Sequence, residues 1–231
     1  LLKFRRANAK GLSCRYKLVA ALGVGALIAW WLRDTAPALR LLSVPWTARQ
    51  LDLGWGWVAF VALVIAGSAH AVNLTDGMDG LAAGCLMAAF GALGAWALTG
   101  VGDPRHSMVA VWCASAVGAC LGFLWFNSAP ASVFLGDVGA LGLGGALGVL
   151  ALLSQATLAL VVIGGVFVAE AASVMVQVAS YRWRNKRRIF RVAPLHHHFH
   201  VGGMTEPKLV VRFWIAGVLL AALGLTALVR A

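Results

Sequence analysis

Three short polar segments gather the carboxylates and imidazoles whose types and spacing suggest chemistry: residues 73–80, 134–137 and 193–200. In the first, Asp76 and Asp79 are separated by Gly77 and Met78 and followed by Gly80, so two carboxylates share a loop whose glycines let a ligand approach the backbone. Such oxygen-rich, nitrogen-poor sites suit Mg²⁺, which takes one or two carboxylates plus substrate phosphates rather than a full protein cage. Asp137 adds a third carboxylate at the start of an apolar run, near a helix N-terminus whose free N–H groups favour anions. A lone Asp-Gly is ordinarily a turn or a cap. Three such groups in a chain with only eight acidic residues weigh towards a site. His196, His197, His198 and His200 have no thiolate companion, and seven nearby cations would repel a divalent metal, which disfavours zinc. Imidazoles among Arg and Lys are better suited to donating to phosphate oxygens, or to moving a proton near neutral pH; a solvated loop is the plainer alternative.

The elements that must position these groups are membrane spans. Hydrophobic residues make up 61% of the chain and charged ones 12%, with a mean hydropathy of +0.85; a soluble domain carries about 25% charged residues. Seven apolar runs, about 17–32, 53–72, 80–99, 107–126, 138–153, 156–180 and 209–229, approach the length of a tilted span. The first seventeen residues lack the apolar core of a signal peptide. They carry Lys3, Arg5, Arg6, Lys10, Arg15 and Lys17, and the segment after the sixth run carries Arg182, Arg184, Lys186, Arg187, Arg188, Arg191 and Lys208. Both stretches should therefore be cytoplasmic. Seven crossings from a cytoplasmic start put residues 73–80, 127–137 and 181–208 all on the cytoplasmic side. The formal charge of +11 is thus a membrane flank, and no nucleic acid is expected as partner.

Inside the apolar runs, Glu170 has two readings: a functional group by default, or a structural one paired with a polar group of a neighbouring span. Gly144 and Gly148 read as a close helix-packing seam, and Trp55, Trp57, Trp125 and Trp214, near span ends, as interface anchors. Cys14, Cys85, Cys113 and Cys120 lack metal-type spacing and receive no redox or metal role.

The run from Asn73 to Ala82, the run Gly122–Asn127 leading to Phe134–Asp137, and Ala193–Phe199 followed by Glu206-Pro207-Lys208 and Val211–Ile215 resemble the phospho-N-acetylmuramoyl-pentapeptide transferase (MraY) family over the whole length, in the same order. The histidine motif sets that family apart from relatives that transfer N-acetylhexosamine-1-phosphate. The resemblance implies an all-α integral membrane protein with about seven transmembrane helices of the ten-span polyprenyl-phosphate glycosyl-1-phosphate transferase fold, residues 1–231 forming one transferase domain incomplete at its N-terminus. It implies a multi-pass enzyme of the bacterial inner membrane, cytoplasmic at its active face, that transfers phospho-MurNAc-pentapeptide from its UDP carrier to undecaprenyl phosphate. Lipid I and UMP are then the products, with Mg²⁺ as cofactor.

By the same resemblance Asp137 is the magnesium ligand, and Asp76 and Asp79 belong to the catalytic acidic cluster. His196, His197 and His198 line the cleft near the substrate phosphates. Gly77, Met78, Asp79, Asn127 and Phe134 match the family's uridine pocket, Phe134 by stacking on the base, and Asn73 joins the substrate-binding set. Departures occur at His70, where the family usually has Asn, at His200, where it has Glu, and at Met204-Thr205, where a Trp-Pro pair is frequent. The family also carries an adjacent Asp-Asp pair just before the segment matching Leu1-Leu2-Lys3, with three spans upstream. The chain is therefore expected to be a C-terminal portion without that pair, and a folded but inactive fragment is the main rival to an enzyme. A transporter, with polar groups at the bilayer midplane, fits less well because all candidates but Glu170 lie in surface segments. Whether the chain pairs as a homodimer is left open by the sequence.

Overall fold

The structure, a computed structural model, describes residues 12–100 and 102–229. Lys3, Arg5, Arg6, Lys10 and Arg230 lie outside them. Helix α1 (Cys14–Thr35) leads through a 3₁₀ turn (Pro37–Arg40) to a small antiparallel hairpin, β1 (Leu41–Ser43) and β2 (Gln50–Asp52), with Leu42 opposite Leu51. Then follow α2 (Gly56–Thr75), α3 (Leu81–Thr99), α4 (Pro104–Asn127), α5 (Gly136–Leu153), the single turn α6 (Leu160–Ile163), α7 (Gly165–Trp183), the short α8 (Leu195–Val201) and α9 (Glu206–Val229).

Six helices, α1 to α5 and α9, are long and apolar enough to cross a membrane. The expected run 156–180 differs from the other six. Its hydropathy is continuous enough to read as one span, but the chain breaks at Gly164 and Gly165, leaving the turn α6 and a separate α7 that carries Glu170 in its interior. α9 packs closely there: a Cβ on Gly165 would lie 3.0 Å from Leu220 Cδ1.

Two of the helix boundaries have a visible local cause. Asp103 caps α4 by accepting the Arg105 N–H at 2.8 Å, with Pro104 supplying the first helical residue. The hydrogen bonds and the Arg105 guanidinium hold the Asp103 carboxyl down at about 2. Gly80, at φ +77°, makes the left-handed step that turns the chain from α2 into α3. In the bundle α2 packs on α1, α5 and α7, while α3 packs on α4 and α9. The α2–α5 seam is close because Gly144 and Gly148 face Ser68, Ala69 and Ile65 without a side chain between them.

Cross-links at the two ends of the bundle fix which ends lie together. At one end the Trp46 N–H donates to the Ala227 carbonyl at 3.1 Å, Gln155 Nε2 to the Ala38 carbonyl at 3.1 Å, and Trp96 Nε1 to the Ser154 carbonyl at 3.0 Å. The opposite end holds the start of α1, the α2–α3 turn, the α4–α5 loop, α8 and the start of α9. All three polar segments share that second end, as the crossing count requires, with α6 and α7 together making one passage.

Candidate active site

The acidic turn is built by the end of α2. Thr75 is the last helical residue, and Asp76 follows as a non-helical cap whose N–H still reaches the Val72 carbonyl. Gly77 to Gly80 form the turn, with Met78 buried beneath it. Asn127, buried at the end of α4, fastens this turn to the next loop: its Oδ1 accepts the Gly80 N–H at 3.0 Å and its Nδ2 donates to the Val133 carbonyl at 2.8 Å. Asp79 Oδ2 accepts the Ala131 N–H at 2.9 Å. The 73–80 and 127–137 segments thus form one wall, and Phe134 projects from its rim 73% exposed.

Asp137 stands in the first turn of α5, 56% exposed. Asn73 Nδ2 donates to its Oδ1 at 3.0 Å, and Lys17 Nζ, reaching across from α1, lies 2.5 Å from Oδ2. Asp76 faces the same start of α5. Burial pushes its carboxyl above the ordinary 3.8, a hydrogen bond from the Gly136 N–H opposes the rise, and the charge of Asp137 adds to it. Asp76 and Asp137 are therefore electrostatic neighbours.

The histidines form a short helix, α8, where the sequence suggested a loop. His196 points inward and is fully buried, its backbone N–H and Nδ1 both directed at Glu170 of α7. Its Nε2 faces Gly77, where a Cβ would strike the ring. The ring of His197 lies tilted against that of His196, centroids 4.2 Å apart, and burial, aided by His196, lowers its pKa below the ordinary 6.5. His198 Nδ1 accepts the Arg191 N–H at 3.1 Å, and its ring lies between Phe190 and Phe199. Beside it opens a cavity of about 490 Å³ lined by Arg191, His198 and Lys208 among others, a basic recess at the same end of the bundle as the acidic turn.

Among the described residues no three His, Cys, Asp or Glu side chains close round a cation. The donors present nonetheless fit Mg²⁺: two neighbouring carboxylates, one of them well exposed, leave the remaining positions to water and phosphate oxygens. Zinc would require the nitrogen and sulfur donors that are not gathered here.

Several participants were not singled out from the sequence. Lys17 counted only as a topological charge, yet it pairs with Asp137 across 120 residues. Trp214 read as an interface anchor; instead its Nε1 donates to the Gly80 carbonyl at 3.1 Å and its indole lies on Gly84, which has no room for a side chain. Glu170 announced its need for a partner, but that partner belongs to α8 rather than to a neighbouring span.

Fold and site together define a polytopic helical membrane protein with an acidic, histidine-flanked cleft at one end of the bundle. The profile of glycosyl transferase family 4 matches residues 8–155. The chain is 47% identical to the phospho-N-acetylmuramoyl-pentapeptide-transferase of Thermodesulfovibrio yellowstonii over 98% of its own length and 67% of that protein's. It is also 47% identical to those of Solibacter usitatus, over 86% of the chain and 56% of the relative, and of Geobacter sp., over 96% and 65%. It thus spans between 56% and 67% of the length of these relatives. The chain belongs to glycosyl transferase family 4.

Proposed function

We propose that this chain is part of a phospho-N-acetylmuramoyl-pentapeptide transferase, working at the cytoplasmic face of a bacterial inner membrane. The observation that carries the reading is the convergence of Asp76, Asp79 and Asp137 with the histidine helix at one bundle end, which also holds a basic recess. In the net reaction a phosphate oxygen of undecaprenyl phosphate becomes bonded to the sugar-bound phosphorus of UDP-MurNAc-pentapeptide. A P–O bond forms there, the P–O bond to UMP breaks, and lipid I remains in the bilayer. Charge neutralisation and positioning carry most of such a phosphoryl transfer. Asp137, with Asp76 beside it, would hold Mg²⁺, which when bound neutralises phosphate charge.

The chain's own groups do the remaining work in this reading. Lys17 and the Arg191–Lys208 recess attract the diphosphate; Asn127 and the Asp79 contact keep the 127–137 loop closed against the turn; Phe134 offers a ring face to the uracil. His197, held towards its neutral form, is suited to accepting or passing a proton at neutral pH.

The test is to incubate membranes containing the full-length gene product with UDP-MurNAc-pentapeptide, undecaprenyl phosphate and Mg²⁺. UMP release with formation of lipid I is expected. Turnover of UDP-N-acetylglucosamine in its place would move the protein to the N-acetylhexosamine-1-phosphate branch, and no turnover of either would overturn the proposed reaction.

A further inference from the structure

The buried pair Glu170–His196 lies behind the reacting face, and its geometry gives it a task. Both side chains are fully buried. Glu170 Oε1 accepts the His196 backbone N–H at 3.1 Å, and Oε2 lies 3.0 Å from Nδ1. A carboxylate facing Nδ1 fixes the imidazole's tautomer and its rotation, while the backbone bond pins the first turn of α8 to α7. Only Nε2 remains, and it is buried without a hydrogen-bond partner among the described residues. It is aimed at Gly77, where a Cβ would collide with it and would lie 3.0 Å from Cε1. An unpartnered buried nitrogen costs free energy, so a fold that retains one here does so against a gradient. The ring edge of His196 is the floor of the turn that carries Asp76 and Asp79.

Resting on the function proposed above, we infer that Glu170 is a positioning residue: by locking His196 against Gly77, it sets the height of the Asp76–Asp79 turn relative to Asp137. Glu170 touches no substrate in this assignment and acts only through His196. The arrangement explains why position 77 is glycine, and why a carboxylate is tolerated inside α7 despite the cost of placing one there.

The decisive variant is Glu170→Gln in the purified full-length gene product, read by steady-state kinetics and by amide hydrogen exchange of residues 76–80 and 195–201. Kinetically, kcat should fall about ten- to a hundredfold, the size of loss that misplacing reacting groups by about 1 Å produces, with KM for the nucleotide sugar nearly unchanged. Exchange should rise in both segments together. In a His196→Ala background the 76–80 segment should already exchange faster, and Glu170→Gln should add nothing to it. Wild-type kcat in Glu170→Gln, faster exchange confined to 195–201, or additive effects in the double variant would each overturn the inference. If Glu170→Gln does not fold, Glu170→Asp, which keeps the charge on a shorter arm, takes its place; failure of both would assign the pair to folding alone and equally overturn it. Should the wild-type protein release no UMP, the proposed reaction falls while the exchange coupling still decides the role of Glu170.

Discussion

Gly144→Ala should damage the site without touching it. Gly144 sits on α5 seven residues beyond Asp137, against α2, and an added Cβ would come within 2.6 Å of the Ser68 carbonyl oxygen, 2.8 Å of Ala69 Cα and 2.9 Å of Val72 Cβ. Two of these atoms are backbone, so no rotamer change relieves the clash. Ordinary carbon contacts begin near 3.5 Å, so the two helices must part by about 1 Å. That displacement is enough to break the 3.0 Å bond from Asn73 on α2 to Asp137 on α5. Overpacking of this kind costs about 1–3 kcal/mol, or roughly 5 °C in apparent Tm for a chain of this size. A 1 Å error in placing Asp137 lowers turnover by about a hundredfold. Two neighbours on the same helix calibrate the result. Gly148→Ala meets Ile65 Cα and Ser68 Oγ at 3.2 Å and should be mildly affected, whereas Gly145→Ala meets nothing within 4 Å and should gain up to about 1 kcal/mol in helix propensity. Thermal unfolding in detergent and transferase activity are the measurements. Equal behaviour of the Gly144 and Gly145 variants would refute the seam as the link between packing and chemistry.

Three further outcomes follow from the site. Asp137→Asn should insert and fold normally yet lose turnover about a hundredfold or more, because it removes charge from the phosphate-neutralising cluster; near-normal activity at ordinary Mg²⁺ rules out a metal-binding role. Asp76 has its folded pKa raised above 3.8, so the stability linked to that group is fully present below 3.8 and is lost as pH rises through the folded value. Asp76→Asn should therefore raise apparent Tm at pH 7 but not at pH 3.5, and a gain of equal size at both pH values contradicts the desolvation argument. Cysteines placed at the exposed positions Phe134 and Gly203 should resist an impermeant thiol reagent added outside intact cells, while cysteines at Leu51 and Trp55 react; labelling at 134 or 203 would invert the topology.

Much of the architecture was legible because a bilayer leaves a chain little choice. A helical span must be apolar over its length, so α1 to α5 and α9 show as runs. The parity of those crossings already placed the three polar segments on one face, and bonds from Asn73 to Asp137 and from Ala131 to Asp79 now join the first two. What stayed hidden depended on partners distant in sequence or on elements too short to have a period. The hairpin of β1 and β2 has three residues per strand, fewer than alternation needs to stand out. The α6–α7 break was masked by continuous hydropathy, though Gly164-Gly165 marked it.

The site divides along the same line. Side-chain chemistry suggested candidates for meeting phosphate, but not what holds them, because a positioning contact has no composition of its own. A carboxylate in an apolar run declares only that it needs a partner; that the partner is His196, 26 residues on, is a property of the fold. The glycines were the overlooked signal. Gly77 was read as letting a ligand approach the backbone, and Gly84 was not read at all, whereas each is a place where a ring from another element, His196 or Trp214, occupies the space of a side chain. Gly77 lies between the two aspartates and Gly84 one helical turn beyond Gly80, so the acidic turn is gripped by α8 on one side and α9 on the other. Its geometry is therefore set in part by the C-terminal third of the chain, beside the bonds from Asn127 and Ala131, which is why the histidine segment and Trp214 belong with the acidic turn although they lie more than a hundred residues from that turn in sequence.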